Sequence, residues 1–304
     1  MQSANAVLMI RPHRFYPNPE TAADNAFQET ISPDELSNIS AAAQREFDHA
    51  VDTMRESGVT VHVVDDTATP EKPDAVFPNN WFSTHHDGRV VLYPMYSPAR
   101  RHERRHEVIE ALKKKYRITD VLDYSAAEKD GLYLEGTGSL VLDHENKIAY
   151  ASLSQRTHTE VLRKFCDDFD YEPIAFRSVT FDGRSIYHTN VMMCVGSEFA
   201  LIGLETIPDE SERIGVQNLL ESTGKEVIEL SAKQISEFAG NAIELHNDKE
   251  KLLVLSKRAL AALTDVQRQR IAKYARLIPL DLPTIELTGG SARCMIATIH
   301  LSRA

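Results

Sequence analysis

Thr288-Gly289-Gly290-Ser291-Ala292-Arg293-Cys294-Met295-Ile296-Ala297 sets two glycines and a run of small or polar residues ahead of a cysteine, with an apolar run, Met295 to Ile299, behind it. A Gly-Gly pair permits a tight backbone with positive φ that a residue bearing a Cβ resists. The stretch therefore predicts a turn that presents Cys294 at the mouth of a strand. Counting back in steps of 53 lands on Asn241, His188 and Glu135, and a further step of 55 lands on Asn80. Each landing point is a polar residue at or just before an apolar, strand-like run. That is an internal repeat, the feature to settle before any other.

The segments around these points share one order: strand, turn, strand, helix, strand. In the first unit the strands fall at 81–83, 90–93 and 120–124, with a charged helix over 99–116. In the second they fall at 138–142, 148–153 and 172–179, with a helix over 157–169. The third places them at 191–195, 200–204 and 226–230, with a helix over 209–223. The fourth places them at 242–246, 252–256 and 277–280, with a helix over 264–276. A fifth unit opens at Cys294 and lacks its remaining elements. A strand at 6–10, a helix running in pieces from 33 to 56 and a strand at 59–64 supply them. Ser32-Pro33-Asp34-Glu35 starts that helix, with proline in its first turn, and residues 13–32 read as a long surface loop. The expected fold is α/β: five ββαβ modules in one domain, 1–304, closed into a ring by pairing of the terminal segments. Equivalent loops of such a ring point to its axis, so Asn80, Glu135, His188, Asn241 and Cys294 are expected in one pocket.

Composition narrows the partners. The chain of 304 residues carries 34 Lys+Arg against 45 Asp+Glu, a net charge of −11. Nucleic acid and anionic membranes are disfavoured as partners at that charge. No stretch approaches the ~18 apolar residues that span a bilayer, and residues 1–12 lack the basic start and cleavage site of a signal peptide. A cytoplasmic location is expected, with homo-oligomerisation left open. Three cysteines, Cys166, Cys194 and Cys294, are too few and too scattered for a disulfide framework. Cys166 reads as a helix core residue and Cys194 as a strand core residue. The single Trp81 reads as packing beside the pocket.

A cysteine, a histidine and a carboxylate on one site suit nucleophilic attack on an electrophilic carbon. Cys294 is the candidate nucleophile. His188 would protonate the leaving nitrogen and then activate water. Glu135 would grip substrate N–H groups or orient the site. His102-Glu103-Arg104-Arg105-His106 matches the H-E-x-x-H zinc pattern. Its charged surroundings read as an exposed helix face and no third ligand follows, so no metal and no cofactor is expected.

Glu135-Gly136, His188-x-Asn190 and Gly289-Gly290 with Cys294, in this order, resemble the pentein superfamily of guanidine-modifying enzymes: arginine deiminases, dimethylarginine hydrolases and amidinotransferases. The resemblance covers nearly the whole chain. It implies a five-bladed α/β propeller, a covalent intermediate on Cys294, and His188 and Glu135 as the other catalytic groups. Pro73-Asp74-Ala75-Val76-Phe77-Pro78-Asn79-Asn80 looks like the family's substrate-gripping segment, which implies Asp74, Asn79 and Asn80 as substrate contacts, with Asn190 and Asn241 beside them. Guanidine-binding members carry acids where this chain has Asn80 and Asn190. A carboxylate pair suits a cationic guanidinium, whereas carboxamides suit a neutral ureido group. The expected substrate is therefore citrulline or a citrulline-like amino acid, as in the branch often labelled amidinotransferase. Arg100, Arg101 and Arg184 are the candidates for its carboxylate, and Arg293 is placed to act on Cys294. The rival readings are an arginine deiminase, an amidinotransferase and, from another class, a non-catalytic ribosome-binding ring.

Overall fold

An antiparallel hairpin, a crossover and a third strand parallel to the second recur five times. The computed structural model describes residues 1–29, 31 and 33–304; Ser32, at the head of the expected helix-start stretch 32–35, lies outside the described residues. β1 (Ala6–Arg11) and β2 (Thr60–Asp65) flank the helix Pro33–Glu56. The next units hold β3 (Phe82–Thr84), β4 (Arg89–Leu92) and β5 (Asp120–Asp123), then β6 (Val141–Asp143), β7 (Ile148–Ser152) and β8 (Glu172–Phe176). After them come β9 (Met193–Val195), β10 (Phe199–Ile202) and β11 (Glu226–Glu229), then β12 (Ile243–His246), β13 (Lys251–Ser256) and β14 (Arg276–Leu280), and last β15 (Ala297–Thr298). Each unit is one three-stranded sheet. Parallel pairing of second with third strand demands a long crossover, which is why a helical segment separates them every time.

The fifth sheet has the order β15-β1-β2, with Val7 opposite Thr298 and Leu8 opposite Ala297. Neighbouring sheets touch: β15 packs on β3, β6 on β9 and β9 on β12, and Ala4 bridges to Leu245. Helices lie outside and bury one stripe. On Thr159–Phe169 the buried set is Val161, Leu162, Phe165, Cys166 and Phe169, the spacing of a single helical face. Cys166 and Cys194 are buried in that helix and in β9, and all three cysteines are free. Among the described residues no helix is long and apolar enough to cross a membrane.

Several expected boundaries move, each for a local reason. Residues 136–139 and 189–192 form single helical turns rather than the starts of strands. The first unit's helix is two pieces, Pro98–Arg101 and His106–Lys113, because Arg105 is extended at the junction. His102 and His106 thus do not share a helical face. The charged helix face is not solvated throughout either, since Arg100 and Glu103 are each 2% exposed. The helix expected over 264–276 is shorter, Asp265–Ile271, preceded by Lys257–Ala262. The strand expected at 295–299 shrinks to Ala297–Thr298, because Cys294 N–H and Ile296 N–H are spent in turns on Ser291 O and Arg293 O. The segment 13–29 is not merely a surface loop: Asn18, Thr21 and Asn25 are buried.

Candidate active site

Gly289 adopts φ 85°, the left-handed conformation expected for the Gly-Gly turn, and its carbonyl accepts from the Tyr187 hydroxyl. The turn delivers Cys294, 3% exposed, with its Sγ 3.3 Å from Asn241 Nδ2 and 3.7 Å from Asn190 Nδ2. Asn241 is held from both ends. Its Nδ2 donates to Asn190 O at 2.9 Å and its Oδ1 accepts from Arg293 N–H at 3.0 Å. Two carboxamide N–H groups are therefore fixed at the sulfur.

His188 caps the turn Thr189–Met192, and Glu135 caps the turn Gly136–Ser139. Their side chains meet, with His188 Nε2 donating to Glu135 Oε2 at 2.8 Å. Gly138 lies against this contact. A Cβ there would come within 2.3 Å of Asn80 Nδ2 and 2.7 Å of His188 Nδ1. Glu135 Oε1 accepts from Tyr96 N–H at 2.9 Å. Burial works to raise the Glu135 carboxyl, but Arg156, His188 and Arg100 outweigh it and hold it down to about 2. Burial lowers the His188 imidazole, opposed by its bond to Glu135. At neutral pH the pair is a neutral imidazole on a carboxylate.

The wall opposite is built on Arg100. It makes a two-point ion pair with Glu103 at 2.9 Å and donates to Asn80 Oδ1 at 2.9 Å. Asp74 lies 3.7 Å from it. Burial opposes its charge, yet Glu103, Asp74 and Glu135 raise its pKa above the ordinary arginine value. Asn79 is fully buried, and neither its Oδ1 nor its Nδ2 has a hydrogen-bond partner among the described residues; Asn80 Nδ2 has none either.

Asp74, Asn80, Arg100, His188 and Cys294 line one small cavity of about 20 Å³. Asn190 and Asn241 border it through Cys294, and Asn79 and Glu135 lie behind its lining. Two expected residues are elsewhere. Arg184 is exposed and pairs with Asp182 at 2.8 Å. Arg101 donates to Met95 O at 3.1 Å and lies 3.3 Å from Glu128, steadying the strand exit that carries Tyr96. Arg293 donates to Ile296 O at 2.7 Å and lines a separate cavity that Asn190 also lines. Among the described residues no group of three or more His, Cys, Asp or Glu side chains is placed to hold a metal ion.

Arg156, 2% exposed, was not anticipated from the sequence. It lines the cavity, lies 4.6 Å over the Tyr187 ring and 3.6 Å from Glu135, and makes a two-point pair with Asp24. The repeat held the signal. In each of the first two units the segment after the second strand supplies one buried arginine, Arg100 and then Arg156. Asn18, Thr21, Asp24 and Asn25 were also missed, because their segment belongs to no repeat.

A family model described as "N,N dimethylarginine dimethylhydrolase, eukaryotic" matches residues 11–301. No curated protein matches the chain in sequence. Among solved structures, the N-terminal domain of ArgZ covalently bound to a reaction intermediate aligns with a TM-score of 0.74 at 17% identity, covering 96% of each chain. The same domain bound to substrate, from an arginine dihydrolase of the ornithine-ammonia cycle in Cyanobacteria, aligns at 0.74 and 17%, covering 97% of this chain and 99% of that one. Of the longer apo ArgZ chain, 40% is covered. A dimethylarginine dimethylaminohydrolase adduct with S-methyl-L-thiocitrulline aligns at 0.65 and 15%, covering 100% of both chains. At these identities the likeness is one of fold.

Proposed function

The chain belongs to the N,N dimethylarginine dimethylhydrolase family, and from that premise we propose a cysteine-dependent hydrolase acting on the ureido carbon of citrulline or a related arginine-derived amino acid. The observation that carries this reading is the sulfur of Cys294 faced by the carboxamides of Asn241 and Asn190. Carboxamides offer neutral donors and acceptors, as a ureido group requires. The free Nδ2 of Asn80 in the cavity wall adds another.

The Cys294 thiol passes its proton to His188, and the thiolate attacks the ureido carbon, with amide N–H groups donating to the sulfur that carries the charge. The bond from that carbon to the side-chain nitrogen breaks, and His188 delivers a proton to the departing amine. Ornithine leaves, and a carbamoyl group stays on sulfur. Water, losing its proton to His188, attacks the same carbon and frees the thiolate. The carbamate released decomposes to carbon dioxide and ammonia. Glu135 holds the imidazole in orientation and stabilises its protonated form. Arg156 and Arg100 are the buried guanidiniums offered to the substrate carboxylate. We also read the five sheets as a closed five-bladed propeller in a single cytoplasmic domain. The β15–β1 pairing and the sheet-to-sheet contacts support that reading.

A guanidine substrate is the second reading, favoured by the Asp74 carboxylate in the cavity wall. Replacement of the guanidine nitrogen by water gives the ureido compound, so the two readings are successive steps at one carbon. The test is ornithine release from citrulline, with Cys294→Ala as control and arginine as competitor. Release that requires Cys294 and outpaces arginine turnover is expected. Arginine turnover with citrulline untouched would discard the reading of Asn190 and Asn80.

A further inference from the structure

The cavity beside Cys294, about 20 Å³, has room for about one water and none for an amino acid. The chain's own segment 18–28 borders it, with Thr21 and Asn25 in its lining. Asn18 Nδ2 donates to Asp74 Oδ2 at 2.8 Å, and Asn25 Nδ2 donates to Thr288 O at 2.9 Å. Glu20 Oε2 accepts from Ala99 N–H at 3.0 Å. Asp24 spans Arg156 with two bonds, Nε to Oδ2 at 2.6 Å and Nη2 to Oδ1 at 2.8 Å. That is the fork-to-fork geometry in which arginine holds a carboxylate. It is made on the same buried guanidinium proposed to hold the substrate carboxylate.

We propose that Asp24 is an internal stand-in for the substrate's α-carboxylate, holding Arg156 in the empty enzyme and thereby setting its affinity for amino-acid ligands. The proposal rests on the amino-acid reading of the site. A ligand enters only when segment 18–28 lifts, and lifting breaks the Asp24–Arg156 pair. Loss of Asp24 leaves the Arg156 guanidinium with no hydrogen-bonded carboxylate, only Glu135 at 3.6 Å, which is costly for a buried charge. A ligand with its own carboxylate replaces the lost bonds, and Asp24 moves into water. Apparent affinity is then the intrinsic affinity reduced by the fraction of molecules with the segment lifted. A weaker latch raises that fraction.

The experiment compares the full chain with Asp24→Asn and Asp24→Glu. Iodoacetamide labelling of Cys294, followed at its own peptide, reports opening whatever the substrate. Calorimetry with L-ornithine reports replacement of the carboxylate. Asp24→Asn is expected to speed labelling several-fold and to tighten ornithine by about the same factor, while Asp24→Glu stays near the parent. Weaker ornithine binding in Asp24→Asn overturns the proposal, since Asp24 would then grip the ligand. Equal behaviour of the Asn and Glu variants overturns it too, because the carboxylate would not be the cause. Faster labelling with no ornithine binding by any form overturns the stand-in and the amino-acid reading together. Ornithine binding with labelling and affinity unchanged overturns the stand-in alone.

Discussion

In the proposed mechanism Glu135 acts through its charge, although it need not touch a reacting atom. Its folded pKa is pushed down to about 2 from an ordinary 4.5. A depressed carboxylate adds stability that is fully present above the unfolded value and is lost as pH falls through the folded one. The Glu135 contribution therefore disappears between about 4.5 and about 2. The same charge supports His188, whose pKa burial lowers and Glu135 raises. In Glu135→Gln the imidazole loses that support and its pKa falls further. We expect kcat to drop by about 10²–10⁴, the usual worth of a positioned acid–base group. The acid limb of the pH–kcat profile should move to lower pH, and acid unfolding should lose its Glu135-dependent part. A limb that stays put or moves up would show that His188 does not take its proton affinity from Glu135. The repeat spacing made Glu135, His188 and Cys294 legible in the sequence. It did not show which atoms meet, and the search for a carboxylate partner named Arg184, which pairs with Asp182, while passing over Arg156.

At the scale of elements, the unit order strand, strand, helix, strand was readable because period-2 and period-3.6 patterns alternate along the chain. The short turns at 136–139 and 189–192 were not readable. Each is a single helical turn, below the length at which periodicity carries a signal, and what fixes it is tertiary: Thr189 Oγ1 donates to Ser139 O at 2.6 Å and Ser139 Oγ to Arg156 O at 2.8 Å. The break after Arg101 was hidden for a related reason. Good helix formers continue through it, while the inward Arg100–Glu103 pair and the Arg104–Glu128 pair decide the backbone path. The outer helix Thr159–Phe169, by contrast, follows its sequence pattern. Phe165 is fully buried, with the rings of Phe169 at 5.0 Å, His85 at 5.6 Å and Tyr171 at 5.7 Å. Phe165→Ala should cost about 3–5 kcal/mol, the range for a buried aromatic truncated to alanine. Urea unfolding checks it. Since this helix faces outward from the cavity, KM should stay near the parent value. A loss below about 1 kcal/mol would mean that the helix is not packed as described.

At the scale of the molecule, one sheet is shared between the two ends of the chain, and this decides how it should unfold. Trp81, the only tryptophan, is 1% exposed and belongs to a cluster that also contains Leu8, Ile299 and Leu301. It therefore reports both the first unit and the shared sheet, while far-UV circular dichroism reports every unit. If five units form one ring with no free edge between neighbours, they stand or fall together. The two probes should then give coincident urea transitions. Ending the chain after Ile296 removes β15 together with Ile299 and Leu301. Burying two such side chains is worth roughly 3–6 kcal/mol, a large share of the 5–15 kcal/mol, in order of magnitude, that keeps a typical domain folded. Because the loss falls on the seam, both probes of the shortened chain should shift together to lower urea, or report no folded state at all. A split result would count against the ring: a Trp81 phase at low urea, followed by a dichroism phase at the parent midpoint, would mean that the units from β6 to β14 hold together without the seam. Coincidence in both chains would support closure of the ring, and Cys294 lies only three residues before the seam strand β15.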